Sequence, residues 1–159
     1  MRYRFFALAM FVGLLAGCAT QPISSTRPGA VTSSQEPAVP SADWENLGVS
    51  PNGNILHELD KLSIQRQGDL VTFRERKTIF DIRKEDFLQT PRHKVSINTW
   101  QIDCKADTYR LLSMNLFDET GRQVASFTYN DNQIKPVPVV PNSASYQQML
   151  FVCQTASAN

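Results

Sequence analysis

The sequence predicts an α+β fold, a small antiparallel β-sheet of about five to six strands with a C-terminal α-helix packed on it and tied by a disulfide. Three features of the 159-residue chain carry that expectation. Short runs of alternating apolar and polar residues, punctuated by Gly- and Asp-containing turns, fill the stretch from Ile55 to Tyr129. Near the end, Tyr146, Met149, Leu150 and Cys153 stand at helical spacings. Finally, Cys104 and Cys153 remain as a pair once Cys18 is assigned a different chemistry.

In chain order the first element is a signal. An apolar run from Phe5 to Leu15 follows Arg2 and Arg4 and ends in Leu15-Ala16-Gly17-Cys18. The run is too short for a bilayer span, which asks for about 20 apolar residues, and it suits the h-region of an export signal. Its end resembles a bacterial lipobox. The small Ala16 and Gly17 let a signal peptidase approach the backbone, residues 1–17 leave, and the thiol of Cys18 carries the lipid. The alternative is an ordinary secretory signal cut at a neighbouring small residue, with Cys18 left free. Several acyl chains, each buried CH₂ contributing about 0.8 kcal/mol, hold a protein on a membrane far more firmly than one. Ala19, not Asp, follows the cysteine, which by resemblance to enterobacterial sorting favours the outer membrane.

Residues 18–42 read as the lipidated cysteine and a flexible tether. The segment is rich in Ser, Thr, Pro, Gln and Ala, with Pro22, Pro28, Pro37 and Pro40 spaced through it. Such a composition cannot bury enough apolar surface to offset its ordering entropy. As a coil it spans roughly 28 Å, enough to hold a domain clear of the lipid surface. The formal net charge of the chain is +1, and removal of Arg2 and Arg4 leaves the mature protein slightly acidic. A charge near zero gives no electrostatic case for nucleic acid as a partner.

Residues 43–159 fit one small domain without internal repeats. In an oxidising envelope Cys104 and Cys153 should be bonded. The loop they close is about 50 residues, for which chain entropy gives about 4 kcal/mol of stabilisation. A redox-active pair is the alternative, but no Cys-x-x-Cys arrangement supports it.

Within the domain, Ile55 to Gln65 and Leu70 to Phe80 read as two strands joined by the Gly68-Asp69 turn. Val71, Phe73 and Ile79 share one parity and Thr72, Arg74 and Arg76 the other, as in a sheet with one wet face. Asp81 to Pro91 is a charged loop with room for a short helical turn. Lys94 to Cys104 is again a strand. Its apolar parity shifts from Val95 and Ile97 to Trp100, Ile102 and Cys104, so either a bulge lies near Asn98 or both faces are covered. Tyr109 to Phe117 follows, with Leu112, Met114 and Leu116 on one face, and Asp118-Glu119-Thr120-Gly121 turns it back into Gln123 to Tyr129. Pro136, Pro138 and Pro141 confine Ile134 to Val140 to an edge or an extended crossing. Ser143 then caps the helix, and Cys153 on its apolar face staples it to the strand ending at Cys104.

These residues are similar in order and spacing to those of the bacterial surface-adhesin protein E-like lipoproteins. The resemblance rests on Trp100-Gln101-Ile102-Asp103-Cys104, on Tyr109-Arg110 opening a strand, and on Leu116-Phe117-Asp118 followed by Gly121 and Val124. Pro141-Asn142-Ser143, Val152-Cys153, and Asp60 followed by Ser63-Ile64 complete it, covering about Ile55 to Cys153. Val137-Pro138-Val139 departs from the aromatic or polar segment of many relatives. The resemblance implies an adhesin at the outer membrane that binds host extracellular-matrix and serum proteins such as vitronectin, laminin and plasminogen. It also implies that an unpaired edge strand can support a homodimer.

No catalytic constellation is legible. The chain lacks Gly-x-Ser-x-Gly, a P-loop and His-Glu-x-x-His. Its histidines are His57 and His93. Glu58 and Asp60 beside His57 offer paired carboxylates for a metal or a shared proton, but solvated strand residues commonly look the same. Asn130-Asp131-Asn132 reads as a turn, not a Ca²⁺ loop. The expectation is a chain that is not an enzyme, with no metal and no cofactor. The remaining candidate is a basic binding patch of Arg74, Arg76, Lys77, Arg92 and Lys94, near His93, Arg83 and Lys84, interrupted by Glu75, Asp81, Glu85 and Asp86. Such a patch would attract sulfated glycans or acidic stretches of a matrix protein; a solvated sheet face with edge charges is the plainer alternative. The leading expectation is therefore a non-enzymatic outer-membrane lipoprotein presenting a protein-binding domain on the surface. The alternative is a periplasm-facing accessory lipoprotein supporting an envelope complex.

Overall fold

The computed structural model describes residues 41–155. The signal, Cys18 and the tether as far as residue 40 lie outside the described residues. Six strands form an antiparallel meander in chain order: β1 (Trp44–Val49), β2 (Ile55–Gln67), β3 (Leu70–Ile79), β4 (Val95–Asp103), β5 (Thr108–Phe117) and β6 (Gln123–Thr128). A two-residue strand β7 (Val137–Pro138) pairs with the first residues of β5, and the helix α1 (Ala144–Thr155) follows. Every predicted strand is present. β1 comes in addition, a six-residue strand whose ladder with β2 is broken between Asn46 and Gly48. The Asp81 to Pro91 loop contains one 3₁₀ turn, Ile82–Lys84. Among the described residues no helix is long and apolar enough to cross a membrane.

The registers sort the side chains onto two faces. β3 and β4 pair without interruption from Leu70↔Asp103 to Thr78↔Val95, so β4 carries no bulge of its own. The parity shift at Asn98 arises because both faces are covered: Trp100 and Ile102 face the helix side beside Phe73 and Val71, while buried Val95 and Ile97 face the other side. A register shift does occur next door, where Thr99 pairs with Ser113 but Trp100 with Leu111. Leu112 is the skipped residue, so it does not belong to the regular row with Met114 and Leu116; its carbonyl accepts from Tyr129 N at 2.8 Å.

The core lies between the sheet and α1, built from Leu59, Val71, Phe73, Ile102 and Val152, with Trp100, Tyr109, Met149 and Phe151 packed around it. Ser143 caps the helix through its Oγ, which accepts from Tyr146 N at 3.2 Å. The most buried helix positions are Gln148 and Val152, one turn apart. The face is thus rotated from the purely apolar one expected of Tyr146, Met149, Leu150 and Cys153, because Gln148 reaches a buried carboxylate described below.

Cys104 and Cys153 are bonded, with Cα atoms 5.8 Å apart and 49 residues of separation. The bond joins the end of β4 to the last turn of α1. Replacing both cysteines by serine is expected to cost about 3 kcal/mol of stability, read as a lowered denaturant midpoint. Non-reducing peptide mass spectrometry of the mature protein gives the direct check, and two free thiols would contradict the bond.

Candidate functional site

The sequence-predicted basic residues do not form one patch. Arg74 and Arg76 lie on the sheet face opposite the helix, where Arg74 stands across from Asp60 and Arg76 across from Glu58. Asp60 is fully buried. One of its carboxylate oxygens accepts from Arg74 Nε at 3.1 Å and from Arg74 Nη2, and the other from the backbone of Asp43 at 2.9 Å and Leu62 at 3.1 Å. The register of β2 slips by several residues at this point, between Asp60 and Gln65. Ser63 closes the slip: its hydroxyl donates to the Asp60 carbonyl at 2.7 Å and accepts from Arg74 N at 2.8 Å. Asp60 and Ser63 are thus structural groups that hold a bulge.

Arg76 makes two parallel bonds to Glu58, at 2.7 and 2.9 Å, and its guanidinium lies 4.5 Å from the centre of the Trp44 ring. Both Arg74 and Arg76 therefore spend their charge within the sheet. The paired carboxylates Glu58 and Asp60 spend theirs on these arginines, which removes them as a metal or proton-sharing pair. Among the described residues no group of three or more His, Cys, Asp or Glu side chains comes together as a metal site.

Lys77 points to the other face. Its Nζ lies 3.5 Å from Glu75 Oε2 and 5.7 Å from the centre of the Trp100 ring. Glu75 is the centre of a buried polar junction that sequence reading missed. Oε1 accepts from Gln148 Nε2 at 2.7 Å and bonds His57 Nδ1 at 3.1 Å; Oε2 accepts from Trp100 Nε1 at 2.7 Å and Asn98 Nδ2 at 3.1 Å. Burial by itself disfavours the charge, but the Lys77 ammonium and the donors from His57, Asn98 and Trp100 outweigh it and hold the carboxyl at about 2, below the ordinary 4.5. The junction ties β2, β3, β4 and α1 through one carboxylate. It could have been found from parity, since Glu75 stands in the apolar row of Val71, Phe73 and Ile79.

Arg92 and Lys94 occupy a third place, the far end of the loop between β3 and β4. With His93 and Ile82 they line a cleft of about 330 Å³ whose opposite wall is the β5–β6 turn, Asp118 to Thr120. That turn is tied through one carboxylate: Asp118 accepts from Thr120 Oγ1 at 2.6 Å and Arg122 Nε at 3.0 Å. The bond from the Thr120 hydroxyl and those from Arg122 hold its carboxyl at about 2, somewhat offset by desolvation. Lys94 Nζ donates to the Phe80 carbonyl at 2.9 Å, and Arg92 is exposed. The cleft is thus cationic on one wall and acidic on the other, where Asp118 is engaged by Thr120 and Arg122 and Glu119 is exposed.

The family model of surface-adhesin protein E matches residues 44–154, from the first strand to the helix. The chain belongs to the surface-adhesin protein E family. Crystal form II of Haemophilus influenzae protein E superposes with a TM-score of 0.50 at 14% identity, covering 80% of this chain and 99% of that one. A second structure, protein E from non-typeable Haemophilus influenzae, gives a TM-score of 0.45 at 14% identity, covering 76% and 82%. Likeness at that identity concerns the fold. No curated protein matches the sequence. The family is one of surface adhesins, and in this member the frame is the sheet and the C-terminal helix, tied by the Cys104–Cys153 bond.

Proposed function

We propose that this chain is a non-enzymatic outer-membrane lipoprotein, anchored through lipid on Cys18, whose domain binds host extracellular-matrix or serum proteins at the cell surface. The observation that carries the reading is the family match across the whole described domain. The absence of a nucleophile-base pair in the sequence fits it. Vitronectin, laminin and plasminogen are the ligands to try first. Within the domain, the wall of Arg92, His93 and Lys94 is where an acidic stretch of such a protein fits best, because among the described residues Arg92 and Lys94 make no close ion pair of the kind that ties Arg74 to Asp60 and Arg76 to Glu58, though Glu119 stands on the opposite wall.

The test is binding of the mature protein to immobilised vitronectin, laminin and plasminogen over a salt series. Saturable binding to at least one is expected, weakening several-fold between low and physiological salt. Arg92→Ala combined with Lys94→Gln should lower it several-fold, with thermal stability unchanged within about 0.5 kcal/mol. Binding to none of the three overturns the adhesin reading. Binding that ignores salt and both substitutions leaves adhesion standing and removes the cleft as its site.

A further inference from the structure

The turn between β1 and β2 holds the one asparagine of the chain that is followed by glycine, Asn52-Gly53. Pro51, Asn52 and Gly53 are all exposed. Gly53 takes a φ of 71°, and beyond its chain neighbours no atom lies within 4 Å of where its Cβ would stand. Ser50 N donates to the Ile55 carbonyl and Gly53 N to the Ser50 carbonyl, each at 2.8 Å, so a tight turn ends in a left-handed glycine. The Asn52 side chain folds back over this turn. Its Oδ1 accepts from Ser50 Oγ at 2.5 Å and from Asn54 N at 3.1 Å.

A glycine after asparagine leaves the backbone free to bring its nitrogen onto the asparagine side chain. When Gly53 N attacks Asn52 Cγ and gives its proton to water, a C–N bond forms and negative charge develops on Oδ1. The Cγ–Nδ2 bond then breaks, ammonia leaves, and a five-membered imide remains. Water reopens the ring at either carbonyl: at Cγ the product is aspartate, at the main-chain carbon it is isoaspartate. One water enters and one ammonia departs, with no oxidant or reductant. Two features of this turn bear on the rate. Ser50 Oγ and Asn54 N already donate to the atom on which the charge develops, which is how an oxyanion is stabilised. Against this, Gly53 N is engaged by the Ser50 carbonyl, and freeing one such exposed bond slows the attack by roughly fivefold.

We propose that Asn52 is a self-modification site, at which the folded chain converts its own asparagine to aspartate and isoaspartate through an imide with Gly53. The two donors on Oδ1 and the exposure of the turn offset the engaged amide, so folding does not shield the residue. The product bears on the structure because an anchor stands two residues on. Asn54 is buried; its Nδ2 donates to the Asp81 carbonyl at 2.9 Å and to Glu85 Oε1 at 2.6 Å, and its Oδ1 accepts from Asp81 N at 2.8 Å. These bonds tie the β1–β2 turn to the loop between β3 and β4. Isoaspartate lengthens the backbone by one methylene just before that anchor, and either product adds a negative charge to the turn.

The experiment ages the mature chain in mildly alkaline buffer at physiological temperature, beside a second sample unfolded in guanidinium chloride. Mass spectrometry then reads the peptide that contains Asn52. A gain of about 1 Da, divided between aspartate and isoaspartate, is expected in the folded sample at a rate within about tenfold of the unfolded one. Gly53→Ala, whose methyl group obstructs the attack, should slow conversion at least tenfold. Thermal melting confirms the fold of that variant, and the isomer ratio in the native chain reports the route independently of it. No conversion in the folded sample, or conversion more than tenfold slower than in the unfolded one, overturns the proposal, because the turn then shields the residue. Aspartate without isoaspartate overturns it as well, since the amide would then be hydrolysed directly. So does a folded Gly53→Ala chain that converts as fast as the native one.

Discussion

Glu75→Ala is expected to lower stability by about 3 to 5 kcal/mol, a large part of the roughly 5 to 15 kcal/mol that holds a small domain folded. The size follows from what the carboxylate serves. His57, Asn98, Trp100 and Gln148 all aim polar groups at it, and Asn98 and Gln148 are buried. Removing the acceptor strands those donors away from water and leaves Lys77 without its counter-charge. Glu75→Gln keeps the shape and isolates the charge. Burial opposes the charge, but Lys77 and the donors from His57, Asn98 and Trp100 hold the folded carboxyl at about 2, below the ordinary 4.5. Because the folded value is the lower, its contribution is fully present above about pH 4.5 and is lost as pH falls towards 2, amounting to roughly 3 kcal/mol. Denaturant midpoints measured from pH 6 to pH 2 should therefore fall more steeply for the native chain than for Glu75→Gln. Parallel curves would mean that the junction does not hold the helix electrostatically.

The second large effect is expected at Arg74. Alanine there leaves the Asp60 carboxylate, which is fully buried, with only the backbone donors of Asp43 and Leu62. A buried charge deprived of its partner costs about 3 kcal/mol or more. Asp60→Asn together with Arg74→Met should cost much less than the sum of the single changes, and additivity in that double-mutant cycle would contradict the coupling. The consequence for adhesion is practical. Loss of ligand binding in Arg74→Ala would report a damaged sheet, whereas loss in Arg92→Ala would report the cleft.

The strands and the helix were legible because their signals are local. The Gly68-Asp69 and Asp118 to Gly121 turns, the alternation around Val71 and Phe73, and the Ser143 cap all act within a few residues. The disulfide was legible because reading Cys18 as a lipid carrier leaves Cys104 and Cys153 as an even pair. The basic patch was not, because strand parity sends Lys77 to the face opposite Arg74 and Arg76, and sequence order alone says nothing about the carboxylates waiting on β2. Glu58 and Asp60 satisfy those arginines only through the β2–β3 register. Likewise Glu75 reads as an acid diluting a basic run until Gln148, 73 residues away, is brought onto it. The β1 strand was missed for a different reason: Gly48 and the skipped Leu47 break its alternation after a few residues.

Lipid anchorage and a protein-binding domain serve an adhesin only if the domain faces outward. Protease shaving of intact cells, followed by immunoblotting for the domain, tests this most directly. Surface exposure is expected to show as loss of the domain from intact cells while a periplasmic marker survives. A domain that resists until the outer membrane is broken would contradict the adhesin reading and place the protein among inward-facing envelope lipoproteins.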